Sequence, residues 1–149
     1  MKRIATIVAA LAATAAQGQD SSRQLTAAAA QQMIAGCEKF AGAKGQSHAI
    51  AVTDAGGHLV AVLRMEGNSP GVMNFALEKA RAAAMWGFGT AEMEEAAKGT
   101  PGFAAAPDVV TVPGGVPVFS GDGAQRIGAI GVSGEAPAAR IVFSRLRST

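Results

Sequence analysis

The sequence predicts an α+β domain, an antiparallel β-sheet with packed α-helices. Two glycine-bracketed strand pairs carry that expectation. The first is AIAVTDAGGHLVAVLRM (49–65), where Asp54-Ala55-Gly56-Gly57 forms the turn. Asp opens turns through its side chain, and paired glycines accept the positive φ angles of tight hairpins. The second runs from Val116 to Val132 around Gly121-Asp122-Gly123. The third observation is order. Strands arrive in hairpins, with helical-period segments before and between them, which favours antiparallel pairing over parallel βαβ units.

The elements follow in turn. Lys2 and Arg3 precede an apolar, alanine-rich run from Ile4 to Ala16, and Ala13-Thr14-Ala15 and Ala16-Gln17-Gly18 fit a small-x-small cleavage rule. Residues 1–19 therefore read as a secretory signal peptide, and the expected location is periplasmic or secreted. Residues 20–149 form a single domain, long enough for a real core. Thr26 is placed to cap a helix from Ala27 to about Phe40, with Met33, Cys37 and Phe40 on one face and Gly42 and Gly45 ending it. Ser69-Pro70 suits the start of a helix from about Val72 to Trp86, closed by Gly87 and Gly89. Thr90 is placed to cap a short helix, Ala91 to Lys98, stopped by Gly99-Thr100-Pro101-Gly102. Phe103 to Asp108 reads as irregular and Val109 to Val112 as a short strand; Val116–Phe119 and Ile127–Val132 complete the sheet.

Composition excludes several classes. Setting Lys2 and Arg3 aside with the leader brings the 13 Lys and Arg level with the 11 Asp and Glu. No basic stripe exists, and six Phe with one Trp offer few stacking platforms, so nucleic-acid binding has no support. Cys37 is the single cysteine, so an internal disulfide is impossible and a small buried apolar residue is its plain reading. HExxH and CxxC are absent, which argues against a structural zinc site; CxxCH is absent, which excludes covalent c-type heme. No GxSxG elbow or other hydrolase arrangement is present.

The segments VTDAGGHLVAVLRM, LEKARAAA, PGGVPV and GAIGVSG, in that order and at these spacings, resemble the GlcG/HbpS (DUF336) family over roughly Leu25 to Gly134. The resemblance implies a profilin-like domain, heme or another tetrapyrrole (a corrinoid is the alternative) as ligand, and a homo-oligomer. It places an arginine where Arg64 stands, a ligand-proximal glycine pair at Gly114-Gly115, and a hydroxyl near heme for which Thr111 is the candidate. After Gly134 the chain departs from the family: its tail is short and basic, without the acidic residues and final amphipathic helix of relatives.

The residues themselves supply compatible chemistry. On a 100° wheel, Val72, Phe75, Ala76, Ala83 and Trp86 share a face that also contains Lys79, whereas Glu78 and Arg81 point elsewhere. A lysine there either snorkels to water or aims its ammonium into a pocket, to meet a carboxylate or a heme propionate. Strand alternation puts Arg64 with His58, Val60 and Val62; it is either a solvated strand end, paired with Glu66 or Asp54, or a second anion clamp. His48 and His58 sit at opposite ends of the hairpin, so they do not share a metal; each reads as a lone surface histidine or a single heme ligand. Met65, Met73, Met85 and Met93 read as core or pocket filler. Two functions follow as expectations: a reversible, exported heme- or tetrapyrrole-binding protein, or a small-molecule enzyme on an organic acid with Lys79 and Arg64 as carboxylate clamps. A purely structural, oligomer-forming module is the third.

Overall fold

The computed structural model describes residues 24–134. The expected leader (1–19) and the divergent tail after 134 lie outside these residues. The elements in chain order are α1 (Ala27–Ala43), β1 (His48–Asp54), β2 (Leu59–Arg64), α2 (Pro70–Trp86), α3 (Thr90–Gly99), a 3₁₀ turn (Phe103–Ala105), β3 (Gly115–Phe119) and β4 (Arg126–Gly134). The strands form one sheet in the order β2-β1-β4-β3, every neighbour antiparallel. The two hairpins thus meet through their outer chain partners: Ile50 of β1 lies opposite Val132 of β4, and Val52 opposite Ile130. That is the predicted α+β class. Among the described residues no helix is long and apolar enough to cross a membrane.

The helix starts follow the sequence. The Thr26 hydroxyl accepts the Ala29 N–H at 3.1 Å, and the Ser69 hydroxyl accepts the Val72 N–H at 3.4 Å with Pro70 in the first turn. Three expectations change. α1 runs through Gly42 to Ala43, because the Ala41 side chain is fully buried and its carbonyl accepts N–H groups from Lys44 and Gln46. That anchoring outweighs the propensity cost of one glycine, about 1 kcal/mol. α3 is capped at Gly89, not Thr90; Glu92 closes the end from N3, and Thr90 turns its hydroxyl inward to accept the buried Gly115 N–H at 2.9 Å. Val109–Val112 is not a strand. The segment bends at Val112 and Pro113, and Gly114 carries a φ of 131°, which turns the chain before ladder pairing begins at Gly115.

Strand alternation gives the sheet two unlike faces. One carries Ile50, Val52, Ile130, Val132, Val116 and Val118, which pack with Leu25, Ala30 and Ile34 on the α1 side; Met33 and the half-buried Cys37 lie against the same cluster. The other presents Ala49 and Ala51 to Ala76 and Ala80 of α2, with Ala129 against Ala83 and Ala84. Between them, a Cβ added at Gly131 would stand 2.0 Å from the Ala76 carbonyl oxygen and 2.5 Å from the Ala80 nitrogen. Helix α2 therefore lies on the sheet at backbone contact, which sets where its one buried charge emerges.

Candidate functional site

That charge is Lys79. Ala76 and Ala83, one turn away on α2, and the adjacent Ala80 are fully buried, and Lys79 itself is 3% exposed. The wheel identified the correct face but overstated its width. Phe75 and Trp86 are 36% and 38% exposed and flank it. Trp86 instead packs edge-on against Phe88 and Phe103 and donates its indole N–H to the Pro107 carbonyl at 3.1 Å. Lys79 does not snorkel. Its Nζ donates to the Val132 carbonyl at 3.3 Å and stands 4.5 Å from the centre of the Phe75 ring. The Val132 N–H donates to Gly114 O at 2.8 Å, so the lysine closes the β3–β4 ladder from the side, where Gly114 leads the chain away.

Burial pushes the Lys79 ammonium below its ordinary value of 10.5, because the charged form loses hydration. Among the described residues no carboxylate pairs with it. An ammonium has three donors, and one carbonyl with one ring face satisfies them incompletely. The site thus holds a cation with spare hydrogen-bonding capacity beside an exposed aromatic ring.

Gly114 and Gly115 stand directly on this group. A Cβ at Gly114 would lie 3.2 Å from both Cδ and Nζ of Lys79, and one at Gly115 would lie 2.2 Å from the Lys79 carbonyl oxygen. The glycine pair is required for this close approach. Thr111, half-buried, belongs to the irregular segment that leads into Gly114, and its neighbour Val112 is 45% exposed.

The other candidates stand elsewhere. Arg64 ends the edge strand β2, opposite Ala49, exposed, with Nη1 donating to the Asn68 carbonyl rather than to Glu66 or Asp54. Strands β1 and β4 separate β2 from β3, so Arg64 and the Lys79–Gly114 contact occupy different flanks of α2. His58 is at the turn of the first hairpin with its side chain 83% exposed. His48, at the far end of that hairpin, is 1% exposed and packed against Gly134, so the surface reading fails for it; its strand is central and its ring points to the larger-residue face. Of the methionines, Met93 is fully buried and Met85 is 51% exposed. An open depression of about 470 Å³ beside the start of α2 is lined by Ser47, Glu66, Asn68, Ser69, Val72 and Gly134, and holds none of these candidates.

Sequence reasoning missed two partners. The Phe75 ring over Lys79 is an i,i+4 pair, legible as such on a helix. The contact between Asp54 and His58 spans the same separation across a turn, where no helical rule points to it.

A four-stranded antiparallel sheet with one helix pressed on an alanine-glycine face, and a buried lysine at the ladder's end, places the chain in a class of small α+β domains. The comparisons narrow it. The model of the HbpS-like family, described as "Haem degrading protein HbpS-like", matches residues 25–139. The chain belongs to that family. It is 42% identical to Protein GlcG of Escherichia coli K12 over 102 residues, 68% of this chain and 75% of that protein. A crystal structure of a Streptomyces reticuli HbpS double mutant superposes with a TM-score of 0.73 at 28% identity, over 97% of this chain and 94% of that one. A PduOC:heme complex shares the fold at a TM-score of 0.75 and 20% identity, over 85% and 96% of the two chains.

Proposed function

We propose that this protein is exported and binds heme reversibly, in scavenging, sensing or delivery. The family match and the heme-bound fold relative supply the ligand class. The observation from this chain that carries the reading is Lys79: a buried ammonium with no carboxylate partner among the described residues, under an exposed phenyl ring, at a glycine pair. A heme propionate would answer the ammonium's spare donors and Phe75 would offer apolar contact to the ring edge, while Thr111 and Val112, in the segment that leads into Gly114, would supply a hydroxyl and a further apolar side chain. The iron is what heme adds; the chain's part is to orient the carboxylate and exclude water around it. Without CxxCH and with near balance of charge in the expected mature chain, retention rests on these contacts, and exchange follows.

The organic-acid enzyme is the weaker reading, because Lys79 and Arg64 stand on different flanks of α2 and do not form one clamp. The test is hemin titration of the mature protein, followed by challenge with excess apomyoglobin. A saturable Soret change and prompt transfer are expected. Failure to transfer would overturn reversibility; absence of any saturable change would remove heme and revive the organic-acid reading. A parallel titration with a corrinoid distinguishes the two tetrapyrroles, and mass spectrometry of the exported chain tests loss of Met1 to about Gly18.

A further inference from the structure

The turn of the first hairpin holds an arrangement that the lysine site does not use. Asp54 Oδ1 accepts the backbone N–H groups of Gly56 and His58, each at 2.9 Å, while its Oδ2 faces His58 Nδ1 at 3.2 Å. Partial burial works against the Asp54 charge, yet the hydrogen bonds from the His58 backbone and ring and from the Gly56 backbone outweigh it and hold the carboxyl below 3.8. An ionised carboxylate has no proton to give. In the neutral imidazole, the contact therefore places the ring proton on Nδ1 and leaves the lone pair on Nε2. With the side chain 83% exposed, that edge is open to solvent. The position depends on Gly56, since a Cβ there would lie 3.0 Å from both Cε1 and Nδ1 of the ring. Across the same turn, Arg81 of α2 donates Nε to the Gly57 carbonyl at 3.3 Å, holds Nη1 3.8 Å from Glu78 Oε1 in a loose surface ion pair and keeps 44% of its side chain exposed, and the half-exposed Met85 places its sulfur beside Gly57.

A carboxylate on one imidazole nitrogen is the arrangement that orients the other toward a metal. One imidazole retains a hydrated divalent ion poorly, and among the described residues no three His, Cys, Asp or Glu side chains converge. A partner that fits must bring its remaining ligands with it. An iron porphyrin does so, with four ring nitrogens in place and an axial position open. We propose that this turn is a second heme contact, where His58 Nε2 takes an axial position on the iron and Arg81 pairs with a propionate. The proposal rests on the heme reading but on none of the residues around Lys79. An exposed ligand at a turn suits capture or hand-over of the porphyrin.

The experiment is hemin titration of the full chain as wild type, His58→Ala, Asp54→Asn and Lys79→Met, each checked for folding by circular dichroism. Asp54→Asn separates orientation from structure. Its amide oxygen still accepts both backbone N–H groups, so the turn persists, but its NH₂ faces Nδ1 and sends the ring proton to Nε2. Expected are an imidazole-ligated ferric spectrum in wild type and Lys79→Met, loss of that spectrum in His58→Ala, and a fall in affinity of about 10- to 100-fold in Asp54→Asn. Nitrogen NMR of the ligand-free protein should find the His58 proton on Nδ1 in wild type and on Nε2 in Asp54→Asn. A wild-type spectrum and affinity in either His58→Ala or Asp54→Asn overturns the proposal and leaves the heme reading standing. Loss of the imidazole signature in folded Lys79→Met overturns the independence of the two contacts. No hemin binding by any of the proteins overturns both readings.

Discussion

The two faces of the sheet bury comparable lengths of strand by opposite means. Toward α1 the strands present Ile50, Val52, Val116, Val118, Ile130 and Val132, and the helix is held off by branched side chains. Toward α2 they present Ala49, Ala51, Ala129 and Gly131, and the helix backbone rests on the sheet backbone. The first face gains stability from apolar volume, which neighbouring rotamers can redistribute. The second gains it from close approach, which nothing redistributes, because the contact atoms are main chain. The rigid face is also the one that buries Lys79. A cation held out of water needs walls that do not yield, and backbone supplies them.

The largest test of this contrast is Gly131→Val. Its Cβ would meet the Ala76 carbonyl, so loss of the fold is expected, seen as absence of a cooperative urea transition. If the variant folds normally, the two faces are equally compliant and the contrast is wrong. On the other face, Ile50→Ala, fully buried, should fold but lose about 2–5 kcal/mol in urea denaturation. A smaller effect is expected at the junction of the rigid face with α3. Thr90→Val keeps the volume but removes the acceptor for the buried Gly115 N–H, at a cost of about 1–3 kcal/mol. If that loss is absent, the glycine pair is not anchored through α3, and weaker heme binding by the variant would have to be explained otherwise.

The subtlest test concerns Lys79 and pH. Burial lowers its pKa in the folded chain below 10.5, so the unfolded chain binds the proton more tightly. Stability from this group is therefore least at neutral pH, below the lowered value, and recovers as pH climbs through that value toward 10.5. Lys79→Met removes the term. Relative to that variant, the wild type should gain stability between pH 7 and pH 10, measured by urea midpoints at constant salt. A change in the opposite direction would mean that an anion holds the ammonium, and the spare cation of the proposed site would be gone. Bound hemin should produce that opposite direction through propionate pairing, which makes the pair of measurements informative together.

Much of this fold was legible one element at a time. Ser69-Pro70 opens α2 and Asp54 to Gly57 turns the first hairpin because caps and turns are local, set by a side chain within a few residues of the backbone it satisfies. Lys79 was legible as an odd charge on an apolar helical face, since periodicity alone assigns a face. What it touches was not. Val132 lies 53 residues away, and nothing local indicates that its carbonyl is left for a lysine. Thr90 was read as a cap and Val109–Val112 as a strand because local preference favours both; a remote N–H claimed the hydroxyl, and the turn at Gly114 kept the segment out of the ladder. Arg64 and Lys79 are both basic and both lie within the hairpin–helix unit in sequence, yet the order β2-β1-β4-β3 sends them to different flanks.

By itself, then, the sequence determined the α+β class, the hairpins, the caps of α1 and α2, the family and the set of residues with suitable chemistry, because each of these follows from periodicity, turn chemistry or shared motifs. Tertiary structure alone decided that His48 is buried while His58 is open, that Asp54 orients His58, and that Lys79 lies closed against Val132, Gly114 and Phe75. Those outcomes depend on which strand lies beside which and how closely α2 approaches the sheet, and both are set by packing between segments far apart in the chain.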